Sequence, residues 1–183
     1  MYLYLVFSKT GTWLSKLLRF FVETKYVHAS ISLEEDLNTM YSFGRVHPNN
    51  PFFGGFVLES FRGGVYTKYP DCECIVYRIK ITEQQHATLV NEISGFLASR
   101  KLFKYNFLGL FAAALNIPLK RKKHYFCSQF VSELLIKIDV LNSQNEPELI
   151  RPTDLLEIEP KEQVFKGYTW QYRALANQNL AFS

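Results

Sequence analysis

Among the residues able to carry nucleophilic chemistry, Cys127 has the most suggestive setting. It opens the stretch "CSQFVSELL", directly after the basic run "RKKH" and Tyr125-Phe126. From it, Phe130, Val131, Leu134, Leu135 and Ile138 recur at i+3, i+4, i+7, i+8 and i+11, one face of an α-helix. That spacing predicts a thiol in the first turn, on the inward side, with Ser128, Ser132 and Glu133 turned the other way. A free cysteine on an apolar stripe is ordinarily a packing residue. The first turn, however, carries N–H groups without intrahelical partners and the positive end of the helix dipole. A thiol there is favoured in its reactive thiolate form.

A nucleophilic cysteine needs a base, and histidine is the usual one. The chain has His28, His47, His86 and His124. His86 falls on the surface pattern of a long helix, His47 in a Pro/Asn loop, and His124 within the basic run, where it adds positive charge. His28 opens the alternating segment "HASISL", where the small neighbours Ala29 and Ser30 leave room for a side chain or substrate to approach. Glu59, in the apolar segment "FVLES", is a carboxylate whose burial would need a partner.

The elements that would position these groups form an α+β layout. "MYLYLVFS" reads as a buried strand, and Trp13 to Val22 as a helix capped by Thr10 or Thr12. "VHASISL" and "TMYSFGRV" read as a hairpin joined by a loop of about five residues. A Pro/Asn loop closed by Gly54 and Gly55 precedes the strand "FVLESF". After a Gly63-Gly64 turn comes the strand "CIVYRIKI". Thr82 with Gln85 makes a capping box for a helix from Glu83 to about Arg100. A short helix over Phe107 to Leu115, the cysteine helix, a helical turn in "RPTDLLEI" and a strand-like "VFKGYTWQY" complete the chain. The expected sheet is an antiparallel meander packed against helices.

Length and composition suit one domain over residues 1–183 with a sizeable core. The longest apolar run, Phe107 to Leu115, is too short to span a bilayer. The first residues carry no basic region and no small-residue cleavage site. Three cysteines are an odd number, and Cys72 and Cys74 read as packing residues. Together these point to a reducing, cytoplasmic setting. Net charge is +4, but the distribution says more: no acidic residue lies between Glu92 and Glu133, while Arg100, Lys101, Lys104, Lys120, Arg121, Lys122 and Lys123 do. Cations near Cys127 favour the thiolate and attract an anionic substrate or membrane surface. The aromatics sit at core periodicities and the net charge is modest, which argues against a nucleic-acid partner.

"YVHASISLEEDLNTMYSFGR", then "HYFCSQFVSELL", then "RPTDLLE", resembles the circularly permuted NlpC-type, papain-like cysteine peptidases, including the YiiX-like hydrolases and the lecithin retinol acyltransferase relatives. In permuted members the histidine strand precedes the cysteine helix, and here His28 precedes Cys127 by 99 positions. The resemblance covers about residues 2 to 158 and implies a permuted papain-like fold, with Cys127 as nucleophile and His28 as base. The third group, which orients the imidazole, lies in the family on the strand after the histidine strand. The match there is Ser42, a departure from the usual polar residues, and Glu59 stands beside it as the alternative. The implied activity is a cofactor-independent thiol peptidase or amidase acting on a small, cell-wall-type peptide. A lipid acyl hydrolase or acyltransferase on the same site, or a ligand-binding module that has lost turnover, are the alternatives.

Overall fold

The computed structural model describes residues 1–9, 26–47, 50–69 and 71–181. The helix expected over Trp13 to Val22 lies outside them. The central feature is a six-stranded antiparallel sheet in the order β4-β3-β2-β1-β5-β8. Its strands are β1 (Tyr2–Lys9), β2 (His28–Ser32), β3 (Met40–His47), β4 (Asn50–Glu59), β5 (Glu73–Lys80) and β8 (Glu162–Tyr168). The first four form the expected meander. The chain then crosses to the far side of β1, so β1 and β5 pair along the whole of both strands.

Side chains of successive strand residues point to opposite faces, and here both faces are covered. On one, Leu3, Leu5 and Phe7 of β1 join Ala29, Ile31, Phe43 and Phe56 in a core that includes Phe126, Phe130 and Leu134. On the other, Tyr4 and Val6 pack with Met40, Phe61, Tyr66, Cys72, Cys74 and Tyr172. This double burial explains why β1 reads as a continuous apolar run rather than an alternation. Cys72 and Cys74 are packing residues, as their spacing suggests. Burial pushes both thiols up, that of Cys72 to about 12.

Among the described residues, six α-helices accompany the sheet: α1 (Val65–Lys68), α2 (Glu83–Ala98), α3 (Phe107–Ala114), α4 (Cys127–Lys137), α5 (Pro152–Leu156) and α6 (Thr169–Ala181). The Thr82–Gln85 capping box starts α2: the Gln85 N–H donates to Thr82 Oγ1 at 3.1 Å, and the Thr82 N–H to Gln85 Oε1 at 2.9 Å. The strands β6 (Lys104–Tyr105) and β7 (His124–Tyr125) form a small parallel pair directly before α4. Among the described residues, no helix is long and apolar enough to cross a membrane.

Three expectations are corrected. The segment read as a Pro/Asn loop is strand from Asn50 onward, with Gly54 opposite Arg45 and Gly55 opposite Gly44. The glycines there serve close approach rather than a turn. A Cβ on Gly54 would lie 2.5 Å from Tyr105 Cβ, and one on Gly55 2.6 Å from the Phe103 carbonyl oxygen. The 103–105 segment thus crosses β4 where side chains are missing. The segment "TWQY" is helical rather than strand-like, because β8 ends at Tyr168 and Thr169 begins α6. Finally, α4 has no solvent-facing side over its first turns: Ser128, Gln129 and Ser132 are as buried as the apolar stripe.

Candidate functional site

The start of α4 is set by the β6–β7 ribbon and by one buried side chain. The Lys104 N–H donates to the Lys123 carbonyl and the Asn106 N–H to the Tyr125 carbonyl, fixing the chain just ahead of Cys127. Gln129 Oε1 accepts from the Phe126 N–H at 3.4 Å, while its Nε2 donates to buried Glu148 Oε1 at 3.1 Å. Gln129 therefore reaches back over the helix start, as the last residue of a capping box does. The first-turn N–H groups and the positive end of the dipole lie at Cys127.

His28, at the start of β2, meets this helix end across the sheet. The Cys127 sulfur lies 3.9 Å from the carbonyl oxygen of Val27, the residue before the histidine. The sulfur also favours the charged form of the His28 ring. From the other side, Glu59 holds the ring with both carboxylate oxygens, at 3.0 and 2.9 Å from Nε2. Ser30 Oγ donates to Glu59 Oε2 at 2.6 Å and lies 3.3 Å from His28 Nε2. Gly44 leaves the space for this cluster, since a Cβ there would stand 3.4 Å from Glu59 Oε1 and 3.6 Å from His28 Cε1.

The electrostatics follow from the contacts. Burial disfavours the imidazolium, but the Glu59 charge, the Cys127 sulfur and the hydrogen bonds outweigh it and hold His28 well above its ordinary value. Burial likewise disfavours the Glu59 carboxylate. The His28 charge and the hydrogen bonds from His28 and Ser30 outweigh it and hold Glu59 below its ordinary value. The pair is therefore an ion pair, largely removed from solvent.

Of the two residues left open as the imidazole's support, the structure brings Glu59 to it and sends Ser42 elsewhere. Ser42 is fully buried, and its hydroxyl donates to the Ala29 carbonyl at 2.7 Å. A buried hydroxyl must find an acceptor, and a strand carbonyl answers that need without reaching the ring. In the sequence Ser30 stands out only as a small neighbour of His28, not as a partner of Glu59, and Gln129 does not stand out at all. Ser30 carried a signal, since it shares a face of β2 with His28 by the two-residue period.

A mostly apolar pocket adjoins the thiol, lined by Val27, Leu110, Ala113, Phe126, Ile150 and Pro152 around Cys127. Tyr105, buried nearby, has its hydroxyl pushed well up by burial and by the Cys127 charge. Among the described residues, no three His, Cys, Asp or Glu side chains are grouped to hold a metal ion. No protein-family model, curated protein or solved structure matches the chain.

Proposed function

We propose that the chain is a cysteine-dependent hydrolase of the permuted papain-like type, with Cys127, His28 and Glu59 as one nucleophilic unit. The observation that carries this reading is the placement of His28 between a buried carboxylate and a cysteine at a helix N-terminus. Nothing in a packing role calls for an ion pair beside a thiol, whereas covalent catalysis does. The order of strand and helix in the chain, histidine first, fits the permuted arrangement.

In the proposed reaction the Cys127 thiolate attacks a carbonyl carbon, forming a thioester as the bond to the leaving group breaks. With Nε2 held by Glu59, Nδ1 is the His28 nitrogen left to deliver a proton to the leaving group. The same nitrogen then takes a proton from water, whose oxygen attacks the thioester, releasing the acid and restoring the thiolate beside the imidazolium. Glu59 fixes the ring and stabilises the imidazolium, and Ser30 fixes Glu59. The first-turn N–H of Cys127 is one donor to the oxyanion. The amide of a small peptide is the substrate that the resemblance implies. The apolar side chains beside Cys127 favour a second reading, an acyl ester or acyl amide whose hydrocarbon part lies against them, since the pocket itself, about 30 Å³, is too small to enclose a chain.

Two chromogenic probes separate the readings. Incubation with p-nitrophenyl octanoate or with alanine p-nitroanilide should release the chromophore and add the acyl mass to the Cys127 peptide, seen by mass spectrometry. Cys127→Ser should show neither. Octanoyl transfer alone would select the acyl reading and alanyl transfer alone the peptide one. No adduct with either probe would count against the hydrolase and leave the binding module.

A further inference from the structure

We propose that α3 and the basic segment after it form a docking surface for an anionic lipid bilayer. The helix is apolar on every side, and only one side is covered. Gly109 and Ala113 are buried, and Leu110, Ala113 and Ala114 line the pocket at Cys127. Leu108, Phe111 and Leu115, at i, i+3 and i+7, form an exposed stripe at 60%, 45% and 72% accessibility. Leu102 and Ile117 beside it are also exposed. A run of large apolar side chains on one surface needs an apolar partner.

The charge around the stripe identifies that partner. Lys101 and Lys104 precede α3, and Lys120, Lys122 and Lys123 follow it, all exposed. The two flanks belong to one lobe: the Lys104 N–H donates to the Lys123 carbonyl at 2.9 Å, and Asn106 Nδ2 to the Leu119 carbonyl at 3.3 Å. Between them runs a groove of about 820 Å³, where Lys101, Lys104 and Arg121 stand among Phe53, Phe107 and Leu108. The sequence of this lobe holds no acidic residue from 93 to 132. Apolar side chains bordered by cations of a single sign suit a helix lying in the interface of an anionic membrane. At eight residues, α3 is about 12 Å long, enough to lie in the interface and too short to cross it. Because the same helix lines the Cys127 pocket, docking would bring that pocket to the lipid surface. The surface itself does not depend on the chemistry at Cys127.

Flotation with lipid vesicles tests this. The wild-type chain should float with vesicles of equal parts phosphatidylglycerol and phosphatidylcholine, not with pure phosphatidylcholine, and less at high salt. Phe111→Ser with Leu115→Ser should lower partitioning more than tenfold. Lys122→Ala with Lys123→Ala should lower it roughly fivefold per lysine. All four side chains are exposed, so thermal melts of the variants should match wild type, and Cys127→Ser should float as wild type does. Three results would overturn the proposal: no flotation with the anionic vesicles, flotation that survives the Phe111 and Leu115 substitutions, or a dimer in solution that those substitutions dissolve. Binding of a single-stranded oligonucleotide without vesicle binding would overturn it too.

Discussion

His28→Ala will slow alkylation of Cys127 by iodoacetamide about a hundredfold near neutral pH, the lower end of what a positioned acid–base group contributes. The proposed unit places the His28 imidazolium beside the thiol, and His28 is the member that stands between the Cys127 sulfur and the Glu59 carboxylate. Removing it also leaves Glu59 buried with Ser30 as its remaining hydrogen-bond partner among those described. Its carboxylate will then lose the shift that His28 supplies, and the protein will lose stability, by about 3 kcal/mol for a buried ion pair broken from one side. Alkylation should therefore be measured well below the melting temperature of the variant. A thiol that is merely packed would react as slowly with His28 as without it.

Glu59→Gln and Ser42→Ala separate the two possible supports of the imidazole. Without the Glu59 charge, His28 loses its main stabilising partner and its raised value falls. The ring is then neutral above its ordinary range, and alkylation of Cys127 should drop roughly tenfold there, one pKa unit being tenfold in the charged fraction. Ser42→Ala leaves the ion pair untouched. It should cost about 1 kcal/mol of stability through its lost bond to Ala29, with reactivity within about twofold of wild type. Stability against pH gives an independent signature. His28 is raised from 6.5, so its contribution is complete below that value and is lost as pH rises through the raised one. Glu59 is lowered from 4.5, so its contribution is complete above that value and is lost as pH falls through the lowered one. The ion pair thus stabilises most between about 4.5 and 6.5. Glu59→Gln should flatten that maximum in melting temperatures recorded across pH, and Ser42→Ala should lower the curve without changing its shape.

Why Glu59 rather than Ser42 was hard to choose in advance has a physical explanation. Residue type marked Glu59, because a carboxylate in an apolar strand requires a partner. Strand order favoured Ser42, which stands next to the histidine strand. What decides the matter is how the long side chain at the end of β4 reaches His28 past Gly44, a relation between three strands that no single segment encodes. The same limit explains β4 itself. Asn50, Pro51, Gly54 and Gly55 read as loop because the reason for the glycines lies in Phe103 and Tyr105, about fifty positions away. Local signals were legible where the cause is local: the Thr82 cap, the apolar stripe of α4, and the alternation that puts His28 at the head of β2. The burial of Ser128, Gln129 and Ser132 was not, since it depends on the 147–150 segment that covers α4.

The most direct test compares the three cysteines in one folded sample. Cys127, Cys72 and Cys74 are 3%, 1% and 0% exposed, so burial alone predicts three thiols labelled at similar, slow rates. Limited alkylation at neutral pH with iodoacetamide, followed by peptide mass spectrometry, should find Cys127 modified about a hundredfold faster than the other two. Equal labelling of all three would contradict the account, for Cys127 would then be a packing residue like Cys72 and Cys74.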